Sequence, residues 1–192
     1  MKTLLSILFL ILSKSLISQD LIPDAVKIKS AYELLLADTS NKKLQESFVA
    51  AFPLNTRSFL DVFQAKNFDQ LYNVSHKYLE LFEKCAAEYP QKVLGKCVNI
   101  GRYLIWNGDA VGQLQNICVS LSVEYPRVFL YDYQTLSIKD QNGLISFYAD
   151  VENFDAYPEF QELIDKLNSI GQSAISRKLE NARTKRIKSY DH

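Results

Sequence analysis

Histidine is nearly absent: His76 and the final residue, His192, are the only two. This argues against a zinc site built from several histidine ligands, and no other metal or cofactor is indicated. An excess of charge is lacking as well, with 22 basic and 22 acidic residues. Nucleic-acid binding rests largely on basic charge meeting phosphate, so nucleic acid is not an expected partner. Cysteine is limited to Cys85, Cys97 and Cys118. Three thiols allow one pair and leave one over. Cys85 and Cys97 flank the turn expected at Tyr89-Pro90-Gln91 at equal distances, which makes them the candidate disulfide in an oxidising compartment. The chain also has no phosphate-cradling glycine loop, no Gly-x-Ser-x-Gly elbow and no His-Glu-x-x-His.

The amino terminus has a distinct layout. A positive start at Met1-Lys2-Thr3 leads into Leu4–Leu12, where eight of nine residues are strongly apolar. Such a run is too short to span a bilayer as a helix of about 20 residues, and it has the length of a signal-peptide core. Residues 1–18 are therefore read as a signal peptide cut after Ser18, and residues 19–192 as one domain. No cysteine lies near the cut to carry a lipid. Removing Lys2 and Lys14 leaves 20 basic against 22 acidic residues, a net charge near −2. The expected location is the periplasm or the outside of the cell, with no stable membrane insertion after cleavage.

Apolar residues recur at three-and-four spacing along most of the remaining chain. Leu71, Tyr78, Leu79, Phe82 and Cys85 make one stripe; Val93, Leu94, Cys97 and Val98 the next; Leu114, Ile117, Cys118 and Leu121 another; Phe160, Leu163, Ile164 and Leu167 the last. The class is all-α, with helices predicted over 24–38, 41–51, 56–65, 67–88, 91–106, 109–123, 126–135, 137–149 and 158–184. Only Phe129–Tyr133 hints at a strand, and its flanks suit a helix. Four of the five prolines follow an aromatic: Phe52-Pro53, Tyr89-Pro90, Tyr125-Pro126 and Tyr157-Pro158. Proline lacks the amide hydrogen that a first helical turn leaves unpaired, and it pushes the preceding residue out of helical geometry. Each pair therefore marks the end of one helix and the start of the next. Intervals of 37, 36 and 32 residues fit two-helix units, giving either an irregular, solenoid-like array of antiparallel helical hairpins or a compact bundle.

The candidate chemistry is sparse. His76 and Glu80 share a helix face, the geometry of an ordinary surface contact. Asp140-Gln141-Asn142-Gly143 reads as a loop or a break in a helix, and its spacing does not fit a calcium loop. Acidic residues from Asp150 to Asp165 precede a basic helix end containing Arg177, Lys178, Arg183, Lys185, Arg186 and Lys188, an order that complements a helix dipole. Trp106 precedes the Asn107-Gly108 turn, with Asp109 placed to cap the following helix. Trp106 and Asp109 are either a ligand-binding pair or a core aromatic beside a cap.

Ala51-Phe52-Pro53, Phe59, Phe63, Tyr72, and Trp106-Asn107-Gly108-Asp109-Ala110-Val111 with Leu114 resemble a pattern in small exported proteins of Bacteroidetes. The likeness is scattered over roughly residues 48 to 150. It implies an exported helical protein and brings no catalytic residues with it. The leading functional expectation is a protein–protein interaction module, since aligned helices present grooves and tyrosine is favoured at interfaces. One alternative is a hydrolase of unfamiliar type using carboxylates such as Glu80, Asp109 and Asp150. Another is a structural component of the cell envelope.

Overall fold

The structure is a computed structural model and describes residues 21–67, 70–105, 108–150 and 157–190. The proposed signal peptide and Trp106 lie outside the described residues. Among those described there are α-helices and short 3-10 turns and no strand, so the protein is all-α. The helices are α1 (Pro23–Ala37), α2 (Lys42–Ala51), α3 (Thr56–Phe63), α4 (Ser75–Lys84), α5 (Pro90–Gly101), α6 (Asp109–Glu124), α7 (Pro126–Thr135), α8 (Ile138–Ala149), α9 (Pro158–Ser169) and α10 (Ser173–Tyr190). Phe129–Tyr133 is part of α7.

Three of the aromatic–proline pairs start helices. Tyr89, Tyr125 and Tyr157 occupy N-cap positions, and Pro90, Pro126 and Pro158 open α5, α7 and α9. Pro23 opens α1 in the same way. The fourth pair behaves differently. Phe52 closes α2, but α3 waits until Thr56, because Asn55 and Ser58 form a reciprocal capping box there. Two side-chain hydrogen bonds to free amides outweigh the lesser advantage of a proline at the first turn.

The long helix expected over 158–184 is two helices. Gly171 adopts φ +79°. Its amide donates to the Asn168 carbonyl at 3.0 Å, and the Gln172 amide donates to the Leu167 carbonyl at 2.8 Å. These paired bonds close α9 through a left-handed residue, a conformation glycine adopts without a Cβ penalty. The acidic and basic groups attributed to one helix dipole thus belong to separate helices, with Glu159 in the first turn of α9 and Lys188 in the last turn of α10. The predicted helix over 67–88 is also shorter, its regular part running only from Ser75 to Lys84 between 3-10 turns. Asp140-Gln141-Asn142-Gly143 is neither loop nor break and lies within α8.

The helices are held by two aromatic clusters. In the amino-terminal half, Phe48, Phe52, Phe59, Phe63, Tyr78 and Phe82 are buried, with Phe52 and Phe82 stacked at 3.8 Å. In the carboxy-terminal half, Phe129 packs with Tyr133 and Tyr148, and Tyr148 with Phe147. Every described phenylalanine is buried, so aromatic abundance here mainly fills the core.

Helices α5 and α6 occupy the centre. Helix α5 packs on α3, α6, α7 and α8, and α6 packs on α4, α5, α7, α8 and α9. In a solenoid each unit meets only its neighbours in sequence. The contact from α6 to α9 skips the α7–α8 unit between them, departs from that pattern and fits the compact bundle.

Candidate functional site

The end of α5 and the start of α8 meet at close range. The position a Cβ would take on Gly143 is 2.0 Å from the Arg102 carbonyl oxygen, and on Gly101 it is 2.6 Å from the Phe147 ring. Both glycines are needed for this approach. It brings the Arg102-Tyr103 segment over the first turn of α8, which Ser137 caps by accepting from the Asp140 amide at 3.2 Å.

Asp140 then ties the two segments together. The Tyr103 hydroxyl donates to Asp140 Oδ1, and Arg102 Nη1 lies 3.6 Å from Asp140 Oδ2. The Arg102 guanidinium also sits over the Tyr103 ring, 5.4 Å from its centroid. The hydrogen bond from Tyr103 is the largest influence holding the Asp140 carboxyl below the usual carboxylate range. The same bond pushes the Tyr103 phenol up. Leu104 is buried beneath, while the side chains around it face solvent: Tyr103 is 52%, Ile105 76% and Ile138 76% exposed. Tyr103 and Ile105, on the segment that follows α5, and Ile138, the first residue of α8, are thus exposed apolar side chains on elements that Asp140 ties together.

Asp109 is exposed at the other end of that junction, but it is not the cap. Gly108, at φ +94°, holds the N-cap position of α6, and Asp109 is the first helical residue with no capping bond from the Gly108 position. A glycine fits there because the left-handed region is costly for a residue with a Cβ. The carboxylate still stands in the first turn, where the helix dipole favours it.

The proposed catalytic carboxylates do not converge. Glu80 lines a cleft of about 400 Å³ between α1, α2 and α4, beside Lys77 and Lys84. Asp150 lines a different cleft, of about 620 Å³ between α8 and α10, where it pairs with Arg186 at 2.6 Å. Asp109 lines neither. His76 and Glu80 are exposed while Ser75 is buried, so these three do not form a nucleophile–base arrangement. Among the described residues no group of three or more His, Cys, Asp or Glu side chains gathers to hold a metal ion.

All three cysteines are buried as free thiols. Cys97 of α5 and Cys118 of α6 lie on helices that pack together, and burial, followed by the influence of Cys97, pushes the Cys118 thiol up. Cys85, the expected partner of Cys97, instead borders the cleft between α1, α2 and α4.

Two buried polar side chains escaped sequence reasoning. Lys96 lies on the buried face of α5 and its Nζ donates to the Phe52 carbonyl and, at 3.3 Å, to that of Ala50, capping the end of α2. Gln115 of α6 donates to the Phe147 carbonyl and, at 2.9 Å, to that of Asp150, capping the end of α8. The available signal was a polar residue beside or within an apolar stripe, with a helix end somewhere else in the chain to satisfy.

Comparison of the chain with known protein families, with curated proteins and with solved structures finds no match. Among the described residues no helix is long and apolar enough to cross a membrane.

Proposed function

We propose that the protein is an exported interaction module that binds another protein through the surface formed by Tyr103, Ile105 and Ile138. The export half of this reading rests on the layout of residues 1–18 and on the resemblance to small exported proteins of Bacteroidetes. The binding half rests on one observation: Ile105 and Ile138 are each 76% exposed and Tyr103 is half-exposed, on two elements braced together through Asp140. Clustered apolar side chains on a rigid support are the usual composition of a contact core, whereas singly scattered ones carry no such meaning. The Tyr103 ring supplies area at little cost in conformational freedom because its hydroxyl is already held.

The test is affinity capture from an envelope extract of the source organism, with the wild-type chain beside an Ile105→Glu/Ile138→Glu variant. Both positions are exposed, so the variant keeps its fold, as circular dichroism would verify. A salt-resistant partner retained by the wild type and lost by the variant supports the reading. A partner retained equally by both places the interface elsewhere. Concentration-dependent self-association on a sizing column, abolished by the same variant, would favour the structural envelope role instead.

A further inference from the structure

We propose that the cleft between α8 and α10 binds a phosphate group carried by a small polyol, with Lys178 and Lys185 receiving the phosphate. The cleft, of about 620 Å³, falls in the size range of small-molecule sites. Its residues on α8 include Asn142, Ser146 and Asp150, spaced four apart. Those on α10 include Lys178, Asn181, Lys185 and Ser189, spaced three or four apart. Residues at these intervals share one face of a helix, so the two packed helices each turn a polar stripe into the same groove. None of these residues belongs to the Tyr103 surface, so the inference stands apart from the protein-binding reading.

The charge in the groove is one-sided. Lys178, Lys185 and Arg186 line it with a single carboxylate, Asp150, which leaves an excess of two positive charges. Asp150 pairs with Arg186 at 2.6 Å, and its own carbonyl accepts from Gln115 at 2.9 Å. Lys178 and Lys185 pair with no carboxylate among the described residues. Lys178 is instead steadied by Tyr133: its Nζ donates to the phenol oxygen at 3.4 Å and lies 5.9 Å from the ring centroid. A lysine ammonium is a point charge with several donors, which suits the tetrahedral oxygens of a phosphate. The planar fork that best fits a carboxylate belongs to Arg186, which Asp150 already holds. Asn142, Ser146 and Asn181 make no side-chain hydrogen bond with another described residue, and they supply donors and acceptors for the hydroxyls of a polyol. Apolar lining is limited to Ile145 and Ala182, so the carbon skeleton in the groove must be small.

Two probes separate the possible sources of such a group, a free sugar ester and a lipid headgroup. Glucose 6-phosphate is titrated into the purified protein by calorimetry at low ionic strength, where charge is weakly screened, with glucose as the control. Vesicles of phosphatidylcholine carrying phosphatidylinositol 4-phosphate are tested by cosedimentation against phosphatidylcholine alone. Lys178→Gln/Lys185→Gln changes two exposed positions and should weaken binding of the responding probe about tenfold or more, as loss of hydrogen bonds to a charged group does. Lys43→Gln/Lys66→Gln removes the same charge at exposed positions outside the cleft and should leave binding unchanged. Circular dichroism verifies that both variants fold. Binding of glucose 6-phosphate that the cleft variant loses assigns a free ester. Binding of the vesicles alone, lost in the same way, assigns a lipid headgroup. The proposal is overturned if neither probe binds, if glucose binds as well as its phosphate, or if the two variants bind the responding probe equally.

Discussion

Lys96 carries an amine to a place where few charges survive. Burial lowers its pKa to about 8, assisted by Lys27, yet its Nζ still caps the last carbonyls of α2. Those carbonyls have no partner within their own helix, and leaving a buried acceptor unsatisfied costs about 1–3 kcal/mol. Lys96→Met keeps much of the stem and removes the donors. It is expected to lower stability at pH 7 by that amount, read as a reduced urea midpoint with an unchanged slope. Lys92, one turn earlier, pairs with Glu46, so both lysines reach from α5 to α2. An exposed pair such as Lys92–Glu46 contributes little by comparison. The difference between the two lysines comes from what surrounds the amine.

At the scale of the helix, two glycines separate two kinds of constraint. Gly143 sits in the interior of α8, where alanine would ordinarily favour the helix. Here the added methyl meets the Arg102 carbonyl oxygen at 2.0 Å, a backbone atom that cannot rotate away. Gly143→Ala is expected to cost about 3 kcal/mol or more, since overpacking against rigid structure typically costs about 1–3 kcal/mol. It should also loosen the Tyr103–Asp140 brace. Gly171 has open space around it and a φ of +79°, so Gly171→Ala meets conformational strain alone, of about 1–2 kcal/mol. Thermal unfolding of the two variants checks the order. Equal losses would show that the α5–α8 approach is less constrained than the geometry requires.

The molecule as a whole holds several neutral acids in its core. Burial pushes the Cys85 thiol up to about 11 and the Tyr78 phenol up to about 12, and raises Cys118, Tyr148 and Tyr157 well above their ordinary values. In the unfolded chain these groups ionise near their ordinary values, 9.0 for cysteine and 10.0 for tyrosine. Between the unfolded and folded values the unfolded chain has released protons that the folded chain retains, so stability falls as pH rises. Their contribution is complete below pH 9.0 and lost on passing about 11 for Cys85 and about 12 for Tyr78. Lys96 has the opposite sign. Between about 8 and 10.5 the unfolded chain holds a proton that the folded chain has lost, and stability rises with pH there. The urea midpoint is expected to fall between pH 9 and 11, and to fall more steeply in Lys96→Met, which lacks the offset. A midpoint that stays level to pH 11 would contradict the burial of these groups.

The helical class and most helix starts were legible because they depend on neighbours in sequence. Three-and-four spacing fixes an apolar face, and proline's missing amide fixes a first turn at Pro90, Pro126 and Pro158. The helix predicted over 56–65 does start at Thr56, and what the aromatic–proline pattern alone does not convey is that the Asn55–Ser58 capping box, not Pro53, opens it. Local reading failed at Gly171, where an apolar stripe of correct period continued across a left-handed residue. Of the candidate site, the exposed residues Tyr103, Ile105 and Ile138 were not legible in the sequence. The Tyr103–Asp140 brace depends on two helix backbones meeting at Gly143, and a stripe in one helix carries no record of which carbonyl lies opposite. Cys97 and Cys118 were assigned to separate helices by their period, yet only the packing of α5 on α6 lets one thiol act on the other. Period and capping are short-range and are written in adjacent residues, whereas the choice of partner follows from how all the apolar faces fill one core together.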